Sequence, residues 1–472
     1  MVFSSIVFLM YFLPAFLGVY LITPKAFKNY VILLFSILFY SWGAPKFVFV
    51  ILGSTIIDFY IVKGMHRANE KKKKKLLLSA SLIMNLGLLA YFKYANFFVE
   101  NVNAVLLELG FSSVSWTEVA LPIGISFYTF QTLTYAIDVY RGTDKPLEKV
   151  TDYLLYILSF PQMIAGPIVR YKDVAKQITN RPDEIDDKLI GLYRFVIGLS
   201  KKVLIANVMA EQAEVIFASD YTQLTWANAW LGTIAFTFQI YFDFSGYSDM
   251  AIGLGKMMGF KFPENFDAPY TSKNITEFWR RWHITLGKFM RDYLYIPLGG
   301  NKVSTSRLYV NLITVFLLSG LWHGASWNFV IWGGFHGFFL ILDRLFLEKF
   351  TKKIGDVLAI ILTFFITMIG WVIFKIENID QLWIYLQKLF MYDGIWEWSE
   401  IHSFYLTLII ACICSFAYPF KIGKKLEHYF FQKNSYFLKE HFIFSTVSVL
   451  LFILCLSFIT SSGFNPFIYF RF

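Results

Sequence analysis

Seven histidines occur in the chain, and three of them stand where an ionisable ring is costly. His323 lies in Ser319-Gly320-Leu321-Trp322-His323-Gly324-Ala325, closing one apolar run and opening the next. Small residues on both sides let another group approach its ring. An imidazole titrates near neutrality, so a proton can be taken from a hydroxyl and returned. The alternative is a packed histidine donating to a backbone carbonyl. His283 lies in Glu277-Phe278-Trp279-Arg280-Arg281-Trp282-His283-Ile284-Thr285-Leu286. Arg280 and Arg281 could hold phosphates of a donor. The same segment reads equally well as an interfacial anchor, with tryptophan at the headgroups and arginine snorkelling. His336, in Gly333-Gly334-Phe335-His336-Gly337, follows His323 by thirteen positions. That is ~20 Å of rise on one unbroken helix, too far for a shared reacting atom unless the glycines break the helix, so His336 reads as a structural or supporting residue. The other four, His66, His402, His428 and His441, sit in or beside charged loops, where a solvated or interfacial role accounts for them.

Acidic residues add a further set. Asp243 and Asp249 fall in Gln239-Ile240-Tyr241-Phe242-Asp243-Phe244-Ser245-Gly246-Tyr247-Ser248-Asp249, and Asp138 precedes Val139-Tyr140-Arg141. They could orient a histidine or line a wet path. They read more simply as buried ion pairs, with Arg170, Arg280 or Arg291 as candidate partners. Phosphate-loop, dinucleotide, nucleophile-elbow and Cys/His metal signatures are missing. Cys412, Cys414 and Cys455 lie within apolar runs and have no metal or disulfide spacing.

The elements that must carry these groups are set by composition. Of 472 residues, 57% are hydrophobic and 16% charged, and the mean hydropathy is +0.53. Soluble domains are about 25% charged, so lipid is the expected solvent. Tyr and Trp, 28 and 13 in number, suit membrane–water interfaces. Twelve apolar runs of near-spanning length are legible: Ser4 to Ile22, Asn29 to Trp42, Phe47 to Val62, Leu76 to Ala95, Leu121 to Val139, Leu189 to Phe217, Trp226 to Phe244, Leu308 to Trp322, Trp327 to Leu342, Val357 to Phe374, Phe404 to Phe420 and Phe442 to Thr460. They predict an all-α polytopic transmembrane bundle of about 11–12 membrane helices. None alternates as a barrel strand would. The first run lacks a basic leader and a small-residue cleavage site and reads as a membrane helix.

The formal net charge of +10 is carried largely by loops. It reads as topology, not as nucleic-acid binding. Lys63, Arg67 and Lys71 through Lys75 place one loop in the cytoplasm; Glu100, Glu108 and Glu118 place the next outside. Arg344, Lys349, Lys352 and Lys353 mark an inside loop. Glu377, Asp380, Asp393, Glu397 and Glu400 mark an outside one, and Lys421, Lys424, Lys425, Lys433 and Lys439 an inside one again. Both termini then fall outside. From about Lys145 to Asn301 the alternation fails, with Pro161, Pro167, Pro263, Pro269 and Pro297 breaking the runs. Polar, irregular segments at membrane depth must be buried in protein or line a cavity. Re-entrant or surface helices are predicted there. The chain reads as one membrane domain, 1–472, with its catalytic portion at 145–345.

Several long motifs, in order, resemble the membrane-bound O-acyltransferase (MBOAT) family. They are Leu121-Pro122-Ile123-Gly124-Ile125-Ser126-Phe127-Tyr128-Thr129-Phe130-Gln131, Phe160-Pro161-Gln162 with Ala165-Gly166-Pro167-Ile168, and the Asp243–Asp249 and Phe278–His283 segments. Arg291-Asp292-Tyr293-Leu294-Tyr295-Ile296-Pro297-Leu298-Gly299-Gly300-Asn301 and Leu321-Trp322-His323-Gly324 belong to the same set. The resemblance runs from the first helix to the closing Phe464-Asn465-Pro466-Phe467-Ile468-Tyr469-Phe470 and is nearest to the branch that O-acetylates alginate and peptidoglycan.

The resemblance implies His323 as the catalytic histidine in a central tunnel and His283 as a second, supporting one. Arg280, Arg281, Trp282, Trp322, Asp243 and His336 would bind the donor or support the site. The implied donor is cytoplasmic acetyl-CoA, with no bound cofactor or metal. The acetyl group would cross a bacterial cytoplasmic membrane, and a secreted SGNH-type partner would complete transfer to a polysaccharide. Alternatives are a D-alanyl transferase for teichoic acid and a polysaccharide transporter. Many transporters carry internal repeats, which the sequence does not display.

Overall fold

The computed structural model describes residues 2–396, 398–399, 401–417, 423, 425, 429 and 435–466. His428, Glu397, Glu400, Lys421, Lys424, Lys433 and the ends of the expected Phe404–Phe420 and Phe464–Phe470 segments lie outside the described residues. All regular elements among those described are helical. The chain falls into two compact units. One holds residues 1–183 and 259–263; the other holds 184–258 and 264–472.

In the first unit, α1 (Val7–Ile22), α2 (Lys28–Gly43), α3 (Val48–Arg67), α4 (Lys71–Glu108) and α5 (Ile125–Arg141) are followed by the short α6 (Val150–Leu158) and α7 (Tyr171–Thr179). Charge inside this apolar packing is matched by hydrogen bonds. Asp58 of α3 is fully buried and accepts from Ser81 Oγ (2.5 Å) and Asn85 Nδ2 (2.9 Å) of α4 and from Tyr153 Oη (2.6 Å) of α6. A buried carboxyl with three donors ties three helices where no water competes. Lys93 occupies a π-helical turn of α4 and donates to Ser126 Oγ of α5 at 3.1 Å. Gly124, at φ 79°, opens α5 where a Cβ would stand 2.6 Å from the Met163 carbonyl. Only glycine satisfies both the left-handed backbone and that approach.

In the second unit, α8 (Ile185–Ser200) runs through a π-helical turn, Lys201–Ala206, into α9 (Asn207–Phe217). The long α10 (Trp226–Met257) follows, with α11 (Ile275–Arg281), α12 (Ile284–Met290), α13 (Thr305–His323), α14 (Trp327–Ile354), α15 (Asp356–Lys375), α16 (Ile379–Phe390), α17 (Phe404–Phe416) and α18 (Leu438–Ser462). Helices α8 and α10 pack antiparallel on paired glycines. A Cβ on Gly191 would lie 2.6 Å from the Gly253 carbonyl, and one on Gly198 would lie 2.5 Å from that of Gly246. Both pairs are spaced by seven residues, so the contact recurs every two turns and the backbones meet directly. Between the glycines Arg194 pairs with Asp249 (2.8 Å) and also reaches Glu264 (2.5 Å); past Gly198, Lys201 pairs with Asp249 (2.6 Å) and Lys202 with Asp243 (2.7 Å). The partners of the two aspartates are therefore on α8 and the turn after it, not Arg170, Arg280 or Arg291. A methyl at Gly246 should wedge this crossing apart. Gly246→Ala is expected to lower stability by about 1–3 kcal/mol, read as an earlier thermal transition in detergent. An unchanged transition would mean that the crossing tolerates separation.

Among the described residues, six helices are long and apolar enough to cross a membrane: Lys25–Gly43, Val48–Arg67, Lys71–Glu108, Trp327–Ile354, Asp356–Lys375 and Leu438–Ser462. Val7–Ile22 and Phe404–Phe416 are shorter apolar helices. The runs expected at Leu121–Val139 and Trp226–Phe244 also form helices, but nearly every residue of α5 and most of α10 are buried in protein. An apolar run does not tell a lipid-facing helix from one enclosed by others. The stretch from Lys145 to Asn301 holds the short helices α6, α7, α11 and α12, joined by extended segments, together with α8, α9 and the long, buried α10.

Candidate active site

The site lies in the second unit, where two helix breaks place two histidines together. Helix α13 ends at His323, and Gly324 to Ser326 lead into α14. The turn is tight: a Cβ on Gly324 would meet the Phe329 ring at 2.0 Å, and one on Gly320 would meet the Phe329 carbonyl at 2.1 Å. Asn328 Nδ2 donates to the carbonyls of Phe374 (3.1 Å) and Ile373 (3.3 Å). That fixes the start of α14 against the end of α15 and brings Phe374 to 5.4 Å from His323, ring to ring. The Trp322 and Trp332 rings close two further sides at 4.9 and 5.1 Å. His323 is 4% exposed.

His283 lies between α11 and α12 with φ 44° and ψ 54°, one of two non-glycine residues in the left-handed region among those described. A branched or bulky residue there is strained, and such strain collects where a side chain must be aimed. A backbone clip holds it: Asp267 N–H donates to the Arg281 carbonyl and Ile284 N–H to the Asn265 carbonyl. The rings of His283 and His323 are 6.5 Å apart, centroid to centroid. That is too far for a direct ring-to-ring hydrogen bond. Phe244 packs edge-on against His283 at 4.7 Å.

The tautomer of His283 follows from its neighbour. Asn265 Oδ1 accepts from the Thr285 backbone N–H (3.3 Å) and hydroxyl (2.8 Å), while its Nδ2 donates to Ser248 Oγ (3.1 Å). A backbone N–H cannot accept, so the oxygen of the amide faces His283. His283 Nδ1, at 3.0 Å from that oxygen, must therefore be the donor. Nε2 then carries the lone pair, and it is buried with no hydrogen-bond partner among the described residues. A neutral ring with its proton on Nδ1 offers Nε2 only as an acceptor, which can orient a hydroxyl or thiol.

Burial pushes the His283 imidazole down to about 3. The unfolded chain takes up a proton here below about pH 6.5, and the folded site refuses it until about pH 3. The fold therefore loses stability at this residue as pH falls through that window. His283→Asn is expected to flatten the acid arm of stability against pH, measured by thermal unfolding from pH 7 to 4. An acid arm identical to wild type would exclude a buried neutral His283.

The remaining predicted residues separate by position. Trp282 is buried against Trp371 (4.6 Å) and Phe266 (5.0 Å), and Trp371 Nε1 donates to Tyr270 Oη. Arg281 pairs with Glu277 at 2.7 Å, and Arg280 is exposed on α11. Asp243 is engaged by Lys202. His336 and His323 are on separate helices, and both pack edge-on to Trp332, at 5.0 and 5.1 Å. His336 also packs against Trp279 and closes on Gly370, whose Cβ would lie 2.7 Å from Nε2. Asn265, Trp332, Trp371 and Phe374 were not anticipated. Asn265 sits one residue from Pro263-Glu264 in a stretch with no helical period, and only its pairing with His283 gives it meaning.

A sequence model of the membrane-bound O-acyltransferase family matches residues 148–379. The chain is 43% identical over 408 residues to the "Probable alginate O-acetylase" of Pseudomonas aeruginosa, covering 86% of this chain and 78% of that one. It is 36% identical over 430 residues to the peptidoglycan O-acetyltransferase of Helicobacter pylori, covering 84% and 81%. The teichoic acid D-alanyltransferase of Bacillus subtilis is more distant, 31% identical over 326 residues, 61% of this chain and 81% of that protein.

Proposed function

We infer the reaction from one premise: the chain belongs to the membrane-bound O-acyltransferase family, as a multi-pass membrane O-acetyltransferase. We propose that it takes acetyl groups from cytoplasmic acetyl-CoA and passes them across a bacterial cytoplasmic membrane for O-acetylation of a cell-surface or exported polysaccharide. Both termini face outward, and a secreted SGNH-type partner completes the transfer. The observation that carries the chemistry is the enclosed pair, His323 and His283, with a single acceptor nitrogen presented by the second.

In this reading His323 takes the proton of the acceptor hydroxyl as its oxygen attacks the thioester carbonyl. The new C–O bond forms, the C–S bond breaks, and the proton passes from His323 to the departing thiolate. His323 ends a nineteen-residue helix, and the carbonyl end of a helix dipole favours the imidazolium that forms in between. His283 Nε2, an acceptor only, takes a hydrogen bond from the departing thiol once His323 has protonated it, and so holds the leaving group in place. Aromatic rings on the remaining sides exclude water, which would otherwise take the acetyl group. Trp322 and Trp282 belong to this wall. In this reading Arg280 and Arg281 meet donor phosphates, Asp243 supports the wall's scaffold through Lys202, and His336 packs behind Trp332.

The test is donor choice by purified protein in liposomes. Acetyl release from labelled acetyl-CoA, absent with a D-alanyl carrier protein, is the expected result. Turnover of the D-alanyl thioester alone would replace this reading with the teichoic acid one. Polysaccharide flux without acetyl release would replace it with transport.

A further inference from the structure

The first unit contains a cleft of about 820 Å³ that shares no lining residue with the histidine site. Its walls come from the end of α1, the start of α2, the loop before α6, and α7 with the segment after it. Six cations line it: Lys25, Lys28, Lys145, Lys149, Lys176 and Arg181. Four acids face them, and three are engaged. Asp183 is held by Lys28, Asp152 accepts from Asn29 Nδ2, and Glu148 stands 3.8 Å from Lys63. Lys25, Lys145 and Lys149 make no ion pair among the described residues. The floor is ordered: Lys28 is 7% exposed and lies 4.6 Å from the Tyr20 ring, and Arg181 is held over Phe260 at 4.3 Å.

The cleft also has a defined level. Lys25 opens a membrane-spanning helix, and Tyr20 and Tyr30 flank that end. Lys63, in the last turns of α3, donates to the Glu148 carbonyl on the cleft's rim. Unpaired lysines over a built floor, with tyrosines at the end of membrane helices, suit a phosphate ester. Phosphate supplies the acceptor oxygens that three free ammonium groups require.

We propose that this cleft is a binding site for a phosphate-ester group, separate from the histidine pair. Its source is either an anionic phospholipid headgroup or the phosphates of coenzyme A. The test uses the full chain with Lys25→Gln, Lys145→Gln and Lys149→Gln combined, since none of the three holds the fold through an ion pair. Retention of phosphatidylglycerol is read by native mass spectrometry, and binding of labelled coenzyme A by filtration. A matched control replaces the exposed Lys71, Lys72 and Lys73 with Gln. Retention of phosphatidylglycerol that falls about tenfold or more only in the cleft variant assigns the site to lipid. Coenzyme A binding that falls likewise assigns it to the soluble source. Both ligands held as in wild type, or an equal loss in the control, would overturn the proposal. Neither readout uses acetyl transfer, so the result stands apart from the reaction proposed above.

Discussion

Replacing His323 by alanine is expected to lower acetyl transfer from acetyl-CoA by roughly 10²–10⁴-fold, the range set by loss of a general base. The effect should fall on turnover, since the ring acts on the transition state. Folding should survive. His323 is enclosed by Trp322, Trp332 and Phe374 at 4.9–5.4 Å, and the α13–α14 turn is fixed by Gly320, Gly324 and Asn328 rather than by the imidazole. The measurement is single-turnover acetyl release in liposomes, with monodispersity as the check on folding. His283→Ala should cost less, because its part is to accept and align. His336→Ala should change stability more than rate, because its ring fills the space against Gly370. A His323→Ala protein that transfers at the wild-type rate would remove it from the chemistry.

Much of this is legible in the sequence. His323 and His283 stood out because an imidazole beside glycines or tryptophans in apolar sequence needs a reason, and MBOAT-like motifs bracket both. The apolar runs predicted helices correctly, since a helix in lipid must satisfy its own backbone. Four things were not legible. Hydropathy does not report which helices are enclosed, so α5 and α10 looked like their lipid-facing neighbours. The glycines between His323 and His336 allow a helix break but do not say where it falls; Gly324 to Ser326 are that break. Asn265 fixes the His283 tautomer from eighteen residues away across an irregular segment, where no period exists to read. The partner of Asp243 was missed for a related reason. Lys202 lies in a π-helical turn, where an inserted residue shifts the face that each side chain occupies.

That pair leads to the second large effect. Lys202 and Asp243 are 3% and 1% exposed and 2.7 Å apart. Lys202 also donates to the Pro466 carbonyl, so one ammonium joins α10 to the chain's last described residue. Lys202→Met leaves a carboxylate enclosed without its cation, which costs about 3–5 kcal/mol. The expected result is a protein with a much earlier unfolding transition in detergent. Adding Asp243→Leu removes the stranded charge, and the double variant should recover most of the loss, because apolar isosteres of a buried pair are often neutral or better. Transfer by that double variant then decides what Asp243 does. Near-normal acetyl release places the pair among the supports of the α8–α10 crossing. A stable double variant without transfer would mean that Asp243 serves the donor directly, and that the ion pair holds it ready.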